Sequence, residues 1–269
     1  MPVDAIRLVV LDWAGTAVDH GSCAPVAPFV AAFARHGVEV SPAEARGPMG
    51  VAKKDHVRAL FRLPAVAARW RAAHARDWRE EDVESVYRAF IPLQMDVLEA
   101  HADPVPGVPA AVEELRRRGI KVGGTTGYFR EAAERVVAAA KARGYSPDVT
   151  MCPDDFSAGR PAPWMIFQIM RETGVFPPAA VVKVGDTVPD MEEGRNAGAW
   201  AVGVTHTGSD VGCTAAEFAA LPERDRLDRV EAAAQKLRAA GAHAVIASAA
   251  DVPALVDRLG ERLRRGERP

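Results

Sequence analysis

Cysteine is scarce in this chain of 269 residues: there are three, Cys23, Cys152 and Cys213, and no two form a Cys-x-x-Cys pair. That argues against a disulfide scaffold or a thiolate zinc cluster and fits a reducing compartment. An excess of charge is missing too. The 34 Lys and Arg nearly match the 36 Asp and Glu, a net charge of -2, so nothing calls for nucleic acid as a partner. Apolar runs are all too short to span a bilayer, and the first residues lack the charged-then-apolar pattern of a secretory signal. A cytoplasmic protein with no membrane partner is expected. What the chain does have is 48% apolar residues, enough for one sizeable core or for a core domain with a smaller companion.

Short apolar runs recur along the chain. Ile6 to Trp13 is a continuous one, of the kind that suits a strand buried on both faces. Ile120 to Thr126, Ala180 to Thr187, Trp200 to Thr205 and His243 to Ser248 resemble it, and Asp148 to Cys152 is a weaker sixth. Helix-period stretches lie between them, at Val108 to Arg118, Arg130 to Arg143, Ala162 to Glu172 and Asp190 to Ala197, while Leu221 to Ala240 reads as a solvated surface helix. Strands alternating with helices predict an α/β fold, a parallel sheet covered on both faces. From about Cys23 to Ala100 the alternation stops. Apolar residues there recur at helical spacing, as at Val26, Phe29, Val30 and Phe33, with turn signals between. The chain therefore divides into a core of residues 1–21 and 101–269 and an all-helical insert of residues 22–100. The insert is expected over the carboxyl ends of the strands, where ligands bind in open α/β sheets.

Those strand ends carry the chemistry. Asp12 follows the first strand, Thr125, Thr126 and Gly127 follow the second, Arg160 lies in "SAGRPAPWM", and "GDTVPD" runs from Gly185 to Asp190. Any one of them would pass as a turn cap. Together they make the set that a carboxylate nucleophile needs for phosphoryl transfer. One carboxylate attacks phosphorus, hydroxyl and backbone N–H groups hold its oxygens, a cation offsets charge, and further carboxylates hold Mg²⁺. One part is absent. Two residues after Asp12, where such a site usually keeps a second carboxylate, stands Ala14.

The chain resembles the haloacid dehalogenase superfamily and, within it, the phosphonatase (phosphonoacetaldehyde hydrolase) family. The resemblance rests on "DWAGTAVDHGS" from Asp12, "MGVAKKDHVRAL" from Met49, "TTGYFREA" from Thr125, "GRPAPWM" from Gly159, "KVGDTVPDMEEGRNAGAW" from Lys183 and "GAHAVIASAADVPAL" from Gly241. It implies a Rossmann-like parallel-sheet core with an inserted helical cap, and hydrolysis of a P–C bond in the catabolism of 2-aminoethylphosphonate. Chemistry links its two most specific features. Ala14 cannot protonate a leaving alkoxide, which an ordinary phosphatase requires. Carbon is a poor leaving group, but a lysine can turn a neighbouring aldehyde into an imine that accepts the electrons. The family motif puts that lysine at Lys53, between Met49 and His56, and leaves Lys54 as a solvated charge.

The resemblance further implies Asp12 as nucleophile and Mg²⁺ ligand, the Ala14 carbonyl and Asp186 as further ligands, and Asp190 as support. It implies Thr126, Gly127 and Arg160 on the phosphoryl oxygens, and Met49, His56 and Tyr128 around Lys53. Burial and cationic neighbours should lower the Lys53 pKa. A small phosphonate substrate and a homodimer paired through the cap complete the expectation. The alternative is a phosphatase or phosphomutase of the same fold acting on a small phosphate ester. Trp13 could face cap or core, Cys23 lies near the cap hinge, and His20, His36, His74, His101, His206 and His243 are assigned to packing.

Overall fold

The apolar runs become strands in the computed structural model, which describes residues 5–269. They are β1 (Leu8–Asp12), β2 (Lys121–Thr125), β3 (Val149–Met151), β4 (Val181–Gly185), β5 (Trp200–Val204) and β6 (Ala244–Ile246). All pair in parallel, in the order β3-β2-β1-β4-β5-β6. The strands are shorter than the apolar runs that announce them. β1 stops at Asp12 because the chain folds back at once: the amides of Thr16, Ala17 and Val18 all donate to the Trp13 carbonyl, and Gly15 takes φ +86. A side chain there would also strike Asp186, since a Cβ would lie 2.6 Å from its Oδ2.

Alternation along each strand supplies two faces. Leu8, Val10 and Val181 pack with Met165, Ile166 and Ile169 of α8 (Trp164–Thr173). Val9, Leu11, Val122 and Val182 pack on the other side, in a cluster that includes Val108 of α6 (Val108–Arg117), Ala132 of α7 (Arg130–Ala142) and Leu255 of α12 (Val252–Arg264). α9 (Val188–Asn196) lies on β4 and β5, with α11 (Glu223–Ala239) beside it. The short α10 (Ala215–Ala220) precedes α11. Trp13 belongs to the core: it is buried, meets the Tyr145 ring edge-on at 5.1 Å, and lies over Gly124, where a Cβ would be 2.6 Å from its Nε1.

Between β1 and α6 run α1 (Val26–Ala34), α2 (Pro42–Arg46), α3 (Lys53–Phe61), α4 (Pro64–His74) and α5 (Glu80–Val97), with no strand among them. The insert has its own aromatic centre. Phe29 stacks on Phe90 at 4.2 Å and on His56 at 3.9 Å, and Phe61 packs against Phe33 and Trp70. The fold is therefore a parallel-sheet α/β core with an inserted helical cap, as the sequence predicts. No helix among the described residues is long and apolar enough to cross a membrane.

Because Phe90 of α5 is fully buried against Phe29 of α1, Phe90→Ala is expected to lower the unfolding free energy by about 3–5 kcal/mol. Urea unfolding of the two proteins measures it; a loss under about 1 kcal/mol would show that the cap does not rest on this aromatic stack.

Candidate active site

A parallel sheet delivers every strand's carboxyl end to one edge, and the chain reverses its strand order beside β1, which is where such folds open a crevice. Asp12 ends β1, Thr125 ends β2, and Asp186 follows β4 directly. Thr187 and Asp190 then open α9. The Asp190 Oδ2 accepts from both the Thr187 amide and hydroxyl, which holds the carboxylate at the start of the helix.

Arg160 binds this edge together. Its Nη2 donates to Asp12 Oδ1 and to Thr125 Oγ1, both at 2.7 Å. Its Nε donates to Glu193 Oε2 at 3.1 Å, and its Nη1 lies 3.0 Å from Asp190 Oδ1. A second cation, Lys183 from the middle of β4, reaches the same acids from beneath. Its Nζ donates to Thr125 Oγ1 at 2.6 Å and sits 2.9 Å from Asp190 and 3.2 Å from Glu193. All of these side chains are buried. Burial pushes the Asp12 carboxyl up against the pull of Arg160. Burial raises Asp186 as well, and Asp12 and Asp190 add to it. For Asp190 burial works the same way, but Arg160 and Lys183 outweigh it and hold the carboxyl low.

Asp12, Asp186 and Asp190 present oxygens within 4.8 Å of one another. Asp186 is oriented by the Thr16 hydroxyl at 3.0 Å and the Ser209 amide at 2.7 Å. Asp190 Oδ1 is buried between the Arg160 and Lys183 cations. Four carboxylates here face two cations. An all-oxygen cluster whose carboxylates outnumber its cations fits a hard divalent cation.

The cap supplies the other wall. Its segment 49–52 lies on the core so closely that a Cβ on Gly127 would sit 2.4 Å from the Val51 carbonyl, and one on Gly50 would sit 2.2 Å from Thr187 Oγ1. Arg160 Nη1 donates to the Gly50 carbonyl at 3.3 Å. Asp12, Ala14, Met49, Lys53, Thr126, Gly127, Tyr128 and Arg160 all line one cavity. It admits water centres over only ≈ 20 Å³, about one water's worth.

Lys53 is buried at the first turn of α3, with its Nζ 4.8 Å from the centre of the Tyr128 ring. Burial brings its pKa down to about 8; Asp12 opposes the shift and Arg160 adds to it. A helix N-terminus also disfavours a cation. Burial in turn lifts the Tyr128 hydroxyl well above its usual pKa. Lys54 points outward and pairs with Glu84. His56 does not line the cavity. It is buried beneath, with Nε2 2.8 Å from the Ala45 carbonyl, and burial holds it well below its ordinary pKa.

Sequence reasoning missed Lys183, Glu193 and Ser22. Ser22 lines the cavity at φ 46, and its place after "HG" was the available signal. The other histidines are held in the structure: His101 pairs with Asp19 at 2.9 Å, His20 faces the Cys213 carbonyl, and His243 accepts from the Ala201 amide.

A strand-end aspartate, a threonine after β2, a basic residue and a second acidic strand end under a helical cap match a known family, whose model covers residues 6–198. The chain belongs to the haloacid dehalogenase-like hydrolases. Within this family it is 49% identical to a phosphonoacetaldehyde hydrolase of Nitratidesulfovibrio vulgaris, over 98% of this chain and 94% of that one. It is 44% identical to the phosphonoacetaldehyde hydrolase of Salmonella typhimurium, over 99% of this chain and all of the other. The crystal structure of a phosphonoacetaldehyde hydrolase-like protein from Oleispira antarctica superposes with a TM-score of 0.97 at 37% identity, covering 100% of this chain and 98% of that one.

Lys183 is the buried support on which this hydrolase site stands. Lys183→Met leaves Asp190 and Glu193 buried with one cation fewer, and is expected to cost about 3–5 kcal/mol of stability. Urea unfolding at neutral pH measures the loss; an unchanged midpoint would mean that Arg160 alone balances the acids.

Proposed function

We propose that this chain hydrolyses the P–C bond of phosphonoacetaldehyde, giving acetaldehyde and phosphate. One observation carries the reading. A buried lysine with a lowered pKa and a buried strand-end aspartate open into the same cavity, and Ala14 stands where a general acid would be. An ester phosphatase has a use for the acid and none for the amine. An aldehyde phosphonate reverses both needs.

The reaction follows from those groups. Neutral Lys53 adds to the aldehyde and water leaves, forming an imine. His56, three residues on along the same face of α3, donates its Nε2 proton to the Ala45 carbonyl and stacks on Phe29, so it steadies the turn that carries Lys53 from beneath the cavity. Asp12 attacks phosphorus. The P–C electrons move into the protonated imine, which becomes an enamine, and Asp12 carries the phosphoryl group. Protonation of the enamine at carbon and hydrolysis release acetaldehyde and return Lys53. Water then cleaves the aspartyl phosphate. Arg160 fixes Asp12 and turns positive charge toward the phosphoryl oxygens, with Thr126 and Gly127 beside it and Met49 and Tyr128 enclosing the aldehyde end. Mg²⁺, held by Asp12, the Ala14 carbonyl and Asp186 with Asp190 in support, would offset charge at the phosphoryl group.

The cavity is too small for the substrate in this closed form, so residues 22–100 act as a lid on the core, opening for exchange and closing to keep water from the imine. The setting is cytoplasmic catabolism of 2-aminoethylphosphonate, by a dimer paired through the lids; light scattering that shows a monomer at working concentration would refute the pairing.

Incubation with phosphonoacetaldehyde and Mg²⁺, then borohydride and peptide mapping, tests the reading. Phosphate release and a reduced two-carbon adduct on Lys53 are expected, and Lys53→Arg should lose both. An ester phosphatase would keep its turnover in that variant. The pH dependence follows from the lysine. Only the neutral amine attacks, so adduct formation should rise with pH and level off above about 8. An ordinary lysine would keep rising toward about 10.4, and that profile would contradict an activated Lys53.

A further inference from the structure

Arg46 ends α2 and stands outside the reaction just described. Its guanidinium nevertheless joins three segments. Nη1 donates to the carbonyls of Gly21 at 2.8 Å, Ser22 at 3.3 Å and Ser209 at 3.4 Å. Nη2 donates to the Gly212 carbonyl at 3.0 Å and lies 3.7 Å from the Cys23 sulfur. One cap side chain thus holds the turn that leads into the cap and the core loop that follows β5.

Those two partners are already fixed to each other. The Gly21 amide donates to the Thr207 carbonyl at 2.8 Å, and a Cβ on Gly21 would lie 2.1 Å from the Cys213 carbonyl. The loop is fixed in turn to the acidic cluster. The Ser209 amide donates to Asp186 Oδ2 at 2.7 Å, and a Cβ on Gly208 would lie 2.6 Å from the Asp186 Cβ. A single residue, Ser209, therefore gives its carbonyl to Arg46 and its N–H to Asp186. In the other direction, Arg46 is the last helical residue before segment 47–52, which crosses onto Gly127 and Thr187 and delivers Lys53.

The choice of partners is what makes this contact reversible. Arg160 is held by buried carboxylates, and withdrawing it would strand their charge. The oxygens around Arg46 are neutral backbone carbonyls. If the cap lifts, they turn to water and the guanidinium is hydrated, with no buried counter-charge left behind. A planar fork with five donors suits such a ring of acceptors, and an ammonium does not.

We propose that Arg46 is the clasp of the closed cap: a positioning residue that holds segment 47–53 on the core, and with it Lys53, and that ties closure to the setting of Asp186 through Ser209. The proposal rests on the lid reading of residues 22–100.

The test compares the full-length wild type with Arg46→Ala and Arg46→Lys, first by amide hydrogen exchange with no substrate or metal added. Faster exchange confined to residues 47–53 and 207–213 is expected in Arg46→Ala, with the strands and the aromatic centre of the cap as protected as before, and a smaller change in Arg46→Lys. In phosphate release from phosphonoacetaldehyde, kcat/KM should fall roughly ten- to a hundredfold in Arg46→Ala, the weight of hydrogen bonds to a charged group. Added guanidinium ion should restore part of it. Unchanged exchange in both segments would overturn the clasp, as would a loss of protection spread evenly over α1–α5, which marks a merely structural residue. A wild type that released no phosphate would defeat the substrate reading alone, and the exchange pattern would still decide the clasp.

Discussion

The buried ion cluster at the carboxyl edge of the sheet is the constraint on which the rest depends. Arg160 and Lys183 together contact Asp12, Asp190 and Glu193, and both donate to the hydroxyl of Thr125. These groups come from β1, β2, β4, α9 and the loop before α8, so the cluster fixes the relative height of most of the core at the edge where chemistry occurs. Such a cluster is costly to bury and is stable only when its hydrogen bonds are nearly complete. Its charges do not cancel: three carboxylates face two cations, and Asp186 adds a fourth with no cation of its own. A surplus of buried carboxylate oxygens at this edge is the kind of set that fits a hard divalent cation.

Cap and core are joined by contacts of a different kind. Where the cap meets the core, several polar partners are backbone groups: the Gly50 carbonyl under Arg160, the Val51 carbonyl against Gly127, and the Gly21, Ser209 and Gly212 carbonyls around Arg46. None of these leaves an unpaired buried charge on separation. The core is thus held by interactions that resist opening, and the cap by interactions that water can replace. On the proposed lid reading, that division lets one chain hold Asp12 fixed while its cavity opens.

Much of this was legible in the sequence, for a physical reason. A parallel sheet sends every strand's carboxyl end to the same edge, so Asp12, Thr125, Thr126 and the Gly185–Asp190 segment had to converge once the strands were recognised. Lys53 was legible only through the resemblance, because nothing in local spacing says which of two adjacent lysines turns inward. The rest depends on contacts remote in sequence. Lys183 reads as one polar residue in an apolar strand, Glu193 as one of two glutamates on a helix, and Arg46 as a basic helix end. Their roles come from partners 7 to 166 residues away. Trp13 was undecided for the same reason: only the fold places it over Gly124.

Ala14 and Lys53 are linked by electrostatics as well as by the logic of the leaving group. Both line the same cavity. Burial lowers the lysine, but Asp12, Asp19 and Asp186 already pull the other way. An aspartate at position 14 would add another carboxylate to that wall in a poorly screened site, and an opposite charge at close range raises a lysine's pKa. It would favour the ammonium, which cannot attack an aldehyde. A proton donor for an ester and a neutral amine for an aldehyde are therefore hard to keep side by side in one cavity. Under the proposed imine mechanism, the missing carboxylate is not merely dispensable for breaking a P–C bond; its absence also helps keep Lys53 neutral.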